Sequence, residues 1–254
     1  NNHHLAGIKY LEIANKVQSH LDRALTDSRA DSVHMAWMMQ QAFTGKNVLI
    51  GITDWGFDYT HPMFYDTTLT QTRIVKAWDQ FRNQGPAPQN FTYGTEFIGS
   101  QQLLSAECDT FNIYQYATHG SHVAGIAGGS GAGTKYRGVA FESEFLFATF
   151  LIDAAAVIDA FNWMKQYAQS VGKRLVINTS WGLYYMGNLD GTSILSQIID
   201  QLSNEGVVFV SSAGNNGNVD FHIKKTFSAA NDTLRTYIGF DNYAYYSNMW
   251  GQSI

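Results

Sequence analysis

A single cysteine, Cys108, stands among 254 residues, so no intrachain disulfide can form and the chain is not a small stapled scaffold. Proline is scarce as well. Two of the three prolines fall in residues 83–90 (NQGPAPQN), which marks that stretch as a surface loop. Charged side chains make up 15% of the chain, against roughly 25% in an ordinary soluble domain. That excludes a charge-laced helical array, a coiled coil and a disordered charged tail. The net charge is -5, which leaves no basic footprint for nucleic acid. Long apolar runs are missing too: the longest, residues 145–158, is interrupted by Thr149 and Asp153 and falls short of the roughly 18 residues that cross a bilayer. The opening residues Asn1-Asn2-His3-His4 have neither the basic segment nor the apolar run of a secretion signal. What is present is 45% hydrophobic and 14% aromatic residues, in a length that buries a large core without staples as one large domain or two small ones.

Along the chain, Ile8, Leu11, Ala14, Val17, Leu21 and Ala24 recur at helical spacing. A second short helix is expected after Asp31-Ser32, through Val33, Met35, Met38, Met39 and Phe43, before a break at Thr44-Gly45-Lys46. Residues 47–53 (NVLIGIT), 144–150 (EFLFATF), 174–179 (RLVINT) and 207–212 (VVFVSS) are apolar without polar alternation, the pattern of strands buried on both faces of a parallel sheet. Two amphipathic helical patterns lie between the last three, one through Val157, Ile158, Phe161, Met164 and Ala168, the other through Ile194, Leu195, Ile198, Ile199 and Leu202. Strand, helix, strand, helix, strand is the grammar of right-handed crossovers, so the expected class is α/β with a doubly wound, mostly parallel sheet. Residues 65–115 interrupt that grammar, although 74–80 reads as a strand. Three parts are expected: a helical N-terminal extension over 1–44, the α/β domain over 45–218, and the start of a β-rich segment or inserted domain over 219–254. The chain stops at Ile254 with no closing helix or cap, and so reads as part of a longer protein with a truncated α/β domain.

Ligands of open α/β sheets bind outside the carboxyl ends of the strands, which directs attention to the residues just after each one. The first strand delivers Asp54-Trp55-Gly56-Phe57-Asp58-Tyr59-Thr60-His61-Pro62. A carboxylate held there by a rigid strand can orient a catalytic base, though Asp with Gly two residues on is also a common turn. His119 opens Thr118-His119-Gly120-Ser121-His122-Val123-Ala124-Gly125-Ile126-Ala127-Gly128. This is a weak helix by propensity, and close packing against the sheet must compensate, with His119 projecting at the active edge. His122 is expected to face inward and be hydrogen-bonded. A metal-dependent hydrolase using Asp54, Asp58, His119 and His122 is an alternative, but the zinc pattern of two His four apart with an intervening Glu is absent.

Together with Ser180-Trp181-Gly182 and Ser212-Ala213-Gly214-Asn215-Asn216-Gly217, these segments resemble the ordered motifs of the subtilases, the subtilisin-like serine proteases. The family's aspartate motif is matched except at Trp55, where a small residue is usual, and its histidine motif reads here with Ser121 in place of Thr. The resemblance spans residues 45–217. His119 follows Asp54 by 65 residues, longer than in minimal subtilisins, and Asn215 follows His119 by 96. The resemblance implies a serine endopeptidase with a subtilisin-like fold. In it Asp54 orients the imidazole, His119 acts as general base and then acid, and Asn215 donates to the oxyanion. It also implies that Ser180, Trp181 and Gly182, with Ala213 and Gly214, hold a peptide substrate as an extended strand. No cofactor is required for such chemistry; structural calcium occurs in the family, but no Asp-rich loop assigns its ligands. Residues 1–44 could then be a pro-segment remnant, and the location would be secreted or extracytoplasmic.

The family's nucleophile, in a Gly-Thr-Ser-Met-Ala-like segment after the oxyanion Asn, has no match. Gly191-Thr192-Ser193 precedes Asn215 and opens a helix, and Gly251-Gln252-Ser253-Ile254 lacks the Thr and the Met-Ala. Ser193 is therefore expected to be a helix-start residue, with the nucleophile beyond Ile254 and this chain inactive alone. A non-catalytic peptide-binding relative is the remaining alternative.

Overall fold

The apolar runs that lack polar alternation all become strands. The computed structural model describes residues 24–182, 190–215 and 225–235. Among them, β1 (Val48–Asp54), β2 (Ile74–Asp79), β3 (Thr95–Ile98), β4 (Glu144–Thr149), β5 (Arg174–Thr179) and β6 (Val208–Ser211) form one sheet in the order β3-β2-β4-β1-β5-β6. Every neighbouring pair is parallel except β2 with β3. Central β1 is flanked by two strands from much later in the chain, pairing Leu49 with Glu144 on one side and Val48 with Arg174 on the other.

The helices are α1 (Ala24–Asp27), α2 (Ala30–His34), α3 (Gly99–Ala106), α4 (Thr110–Ile113), α5 (His119–Gly128), α6 (Ala154–Ser170) and α7 (Ile194–Asn204). Both long crossover helices begin on a side-chain cap: Asp153 accepts from the Ala156 N–H and Ser193 from the Ser196 N–H. The sheet is covered on both faces because alternate residues of its central strands are apolar both ways. Leu49, Leu146, Leu175 and Ile177 pack with Val157, Phe161 and Met164 of α6. Ile50, Ile52, Phe145 and Phe147 pack with Ala124 of α5 and with Phe57 and Phe64. At Gly51 a Cβ would lie 2.4 Å from the Met164 sulfur, so α6 crosses directly over the middle of β1.

Residues 65–115 contribute β2 to the parallel part of the sheet, then β3 as its antiparallel edge, then α3 and α4. The proline-bearing loop 83–90 joins β2 to β3 and is largely exposed, with Pro88 tucked in.

One helix is shorter than its pattern predicts. In place of a helix reaching Phe43, α2 ends at His34, and Ala36 and Met38 adopt positive φ (55° and 57°). Met35, Trp37, Met38 and Phe43 are exposed. The expected run through Val33, Met35, Met38, Met39 and Phe43 has helical spacing, but without a buried face to pack against, such a short helix has little to hold it. The helical stripe over 8–24 and the alternation at 236–240 lie outside the described residues, apart from Ala24, which begins α1.

Small residues of α5 set how closely it approaches the sheet side of the molecule. A Cβ on Gly120 would meet the Trp55 carbonyl at 2.9 Å and the Phe57 ring at 2.8 Å, whereas one on Gly125 would meet nothing within 4 Å. The same substitution should therefore have opposite signs on one helix. Gly120→Ala is expected to destabilise the fold by about 1–3 kcal/mol through overpacking, and Gly125→Ala to stabilise it by up to about 1 kcal/mol through helix propensity. Urea unfolding of the two variants beside the parent checks both signs.

Candidate active site

Asp54 is the last residue of β1, level with Thr149 at the end of β4. Its side chain is 1% exposed, and both of its oxygens lie 2.9 Å from Nδ1 of His119. The Trp55 N–H donates to Oδ1 at 2.7 Å. The imidazole itself is 55% exposed, so the carboxylate occupies one ring nitrogen from below and Nε2 is left to face an incoming group. A buried carboxylate that accepts from Nδ1 selects the tautomer whose Nε2 can take up a proton.

The position of His119 follows from the way α5 begins. The first N–H groups of any helix lack intrahelical partners, and Thr118 supplies no side-chain cap. The turn after Asp54 supplies the acceptors: Gly120 N–H donates to the Trp55 carbonyl at 2.6 Å and Ser121 N–H to the Gly56 carbonyl at 3.2 Å. The Ser121 hydroxyl donates to the same Gly56 carbonyl at 3.0 Å and accepts from the Asp58 N–H at 2.8 Å. Ser121 thus joins the two motifs directly, a role its sequence position as a variant of the family's Thr did not reveal. The buried stripe of α5 is Gly120, Ala124 and Gly128.

His122 corrects an expectation. It lies on the opposite side of that stripe and is exposed rather than turned inward, because the stripe of Gly120, Ala124 and Gly128 advances by four while His122 falls between its members. The four-residue metal set is not gathered either, since Asp58 directs Oδ1 onto the N–H and hydroxyl of Thr60. Among the described residues, no group of three or more His, Cys, Asp or Glu is placed to hold a metal ion.

The other expected site residues follow β5 and β6, at the same carboxyl edge of the sheet as Asp54. Trp181 turns its ring inward, donating from Nε1 to the Thr53 carbonyl at 2.9 Å and packing on Phe150 with centroids 5.0 Å apart. Its side chain thereby braces the end of β1. The Ser180 hydroxyl accepts from the Asn178 amide at 2.8 Å, and Gly182 is exposed. Ala213, Gly214 and Asn215 are exposed beyond β6, with Gly214 at φ 85°. Asn216 and Gly217 of the same motif lie outside the described residues. Trp55, the departure from the family's small residue, finds room by packing its ring, tilted by 31°, against Phe150 at 4.6 Å and donating from Nε1 to the Phe150 carbonyl at 3.0 Å. Ser193 is the N-cap of α7, its hydroxyl accepting from the Ser196 N–H at 3.1 Å, as a helix-start residue should.

Burial pushes the Asp54 carboxyl above the ordinary carboxylate range, and the bonds from His119 and Trp55 pull it back only in part. The folded chain therefore holds this proton more tightly than the unfolded chain does. Ionisation of Asp54 lowers stability; the loss is complete above the folded pKa and vanishes as pH falls through that value toward the unfolded one, about 4. Asp54→Asn should accordingly melt higher than the parent at neutral pH, with the gap closing in acid. Thermal melts at a series of pH values test this, and a gap that widens in acid would contradict it.

Compared with known proteins, residues 45–238 match the family model described as the Subtilase family. Subtilisin E of Bacillus subtilis is 24% identical over 220 residues, covering 83% of this chain and 45% of that protein. The C5a peptidase of Streptococcus pyogenes is 22% identical over 225 residues, covering 80% of this chain and 19% of that protein. Among solved structures, the Clostridium perfringens CspB protease superposes with a TM-score of 0.58 at 25% identity, covering 76% of this chain and 41% of the other. The chain thus spans less than half the length of these relatives.

Proposed function

The chain belongs to the subtilase family, and from this we propose that it carries the Asp, His and oxyanion members of a serine endopeptidase that cleaves peptide bonds through an acyl-enzyme. The observation that carries the reading is the bond between Nδ1 of half-exposed His119 and fully buried Asp54, at the carboxyl end of the central strand. A serine hydroxyl is a weak nucleophile near neutral pH and needs a base to take its proton.

In this reading Nε2 of His119 takes that proton as the serine oxygen attacks the scissile carbonyl, and Asp54 stabilises the resulting imidazolium. The side-chain amide of Asn215 donates to the oxyanion of the tetrahedral intermediate. His119 then returns the proton to the leaving amine, and water repeats the sequence to release the acyl group. A peptide lying along the end of β5 as an added strand would approach at Gly182, where no side chain stands in its way. Secretion belongs to the same proposal, and the chemistry calls for no cofactor. Among the described residues, no helix is long and apolar enough to cross a membrane.

The nucleophile is placed in a Gly-Thr-Ser-Met-Ala-like segment following Asn215 in the longer polypeptide. Residues 1–254 alone should neither hydrolyse peptides nor take up a fluorophosphonate probe, while the polypeptide that continues through the serine should do both. Labelling of the shorter chain at Ser193 would overturn the placement.

In the longer enzyme, Asn215→Ala should lower kcat by about 10²–10³ with little change in KM, a magnitude carried over from a subtilisin that loses its oxyanion donor. The N–H bonds more strongly to the developing oxyanion than to the neutral carbonyl. Steady-state kinetics decide the matter: a kcat within a few-fold of the parent would remove Asn215 from the mechanism.

A further inference from the structure

Asp109 lies between the Asp54 and His119 motifs in sequence, and neither motif includes it. It is fully buried, and its carboxylate serves three elements. Oδ2 accepts the Gly56 N–H at 2.8 Å and the Thr149 hydroxyl at 2.6 Å, and Oδ1 accepts the Asn112 N–H at 2.9 Å. The Asp109 N–H returns a bond to the Phe57 carbonyl at 3.0 Å. Capping α4 would need only the bond to Asn112. The other two bonds tie the turn after Asp54 to the end of β4, at the residue level with Asp54 on one side and with Asp79 on the other. Asp79 in turn accepts from the N–H and hydroxyl of Thr110 at 2.8 and 2.7 Å, holding the segment that bears Asp109.

The Gly56 residue connects this carboxylate to the imidazole. Its N–H goes to Asp109, while its carbonyl receives the N–H and hydroxyl of Ser121. The carbonyl before it, of Trp55, receives the Gly120 N–H. There is no slack on the remaining side, since a Cβ on Gly56 would come within 2.1 Å of the Ala117 carbonyl oxygen. A turn held by Asp109 from one direction thus presents the two carbonyls on which α5 begins, and His119 is the first residue of α5.

We propose that Asp109 is a positioning residue for the Asp54–His119 pair, fixing through the Gly56 turn where α5 starts and hence where the imidazole meets the carboxylate. This rests on reading Asp54 and His119 as the acid–base pair. Burial also raises the Asp109 carboxyl above the ordinary range, so the site retains a destabilising buried acid where a neutral cap could stand.

The test reads the His119 ring directly, in the chain of residues 1–254, by long-range 1H–15N correlation with the ring neutral. The parent should show the Nδ1–H tautomer that donates to Asp54. Asp109→Asn can still cap α4 through its amide oxygen but presents N–H donors where acceptors are needed, and it should shift the ring to the Nε2–H pattern. Thr149→Val, which keeps the carboxylate, should move it the same way and carries the test if Asp109→Asn does not fold; Thr149→Ser should restore the parental spectrum. Asp153→Ala, which removes the comparable cap of α6, should lower the melting temperature and leave the ring unchanged. A parental Nδ1–H spectrum in folded Asp109→Asn and Thr149→Val would reduce Asp109 to a helix cap. Asp54→Ala separates the two levels: if it leaves the ring as in the parent, the pair itself is misread, whereas if it alone moves the ring, only the positioning role fails.

Discussion

Two carbonyl oxygens, of Trp55 and Gly56, organise the site. They take the N–H groups that the first turn of α5 cannot satisfy internally, and the distance between Asp54 and His119 follows from that junction. The constraint works only because nothing at Gly120 intervenes, and because Gly56 can adopt its positive φ of 82°. Phe57 then carries the turn into the core, stacked on Phe147 with centroids 4.4 Å apart. Backbone geometry and aromatic packing thus converge on one short segment, residues 55–57, between the Asp54 carboxylate and the start of α5.

The electrostatics pull against the fold. Asp54 and Asp109 are both buried, and desolvation raises both carboxyls. Neither has a Lys or Arg as its hydrogen-bond partner; each is held by one nearby N–H and by donors from distant segments. Buried carboxylates of this kind cost the fold stability once ionised. The hydrophobic layers on both faces of the sheet, rich in Phe, Trp, Leu and Ile, supply the compensating stabilisation.

Much of this could be read from the chain itself. Strands with no polar alternation were legible because burial on both faces leaves no room for it, and β5 occupies the expected residues 174–179. The meeting of Asp54 and His119 was legible because their motifs combine a carboxylate and an imidazole with glycines at fixed offsets. His122 was not, because only the small-residue stripe of Gly120, Ala124 and Gly128 says which side of α5 is inward. The 31–43 helix failed for a related reason: periodicity describes a face but does not supply anything for it to pack on. The only local signal at Asp109 is that of a helix N-cap. Its importance comes from partners 53 and 40 residues away, which only the folded topology brings together.

The order of the strands also has a consequence in time. β1 is made early, yet its two neighbours are β4, beginning at Glu144, and β5, beginning at Arg174. At about 5–20 residues per second of synthesis, the roughly 90 residues between Asp54 and Glu144 take on the order of 5–20 s to appear. Through that interval the central, almost fully buried strand has neither flanking strand to pair with. His119 is translated before either flank, but the sheet edge that holds its carboxylate cannot close until both have emerged. The pair therefore forms late in the life of the nascent chain, only after β4 and β5 have both been made.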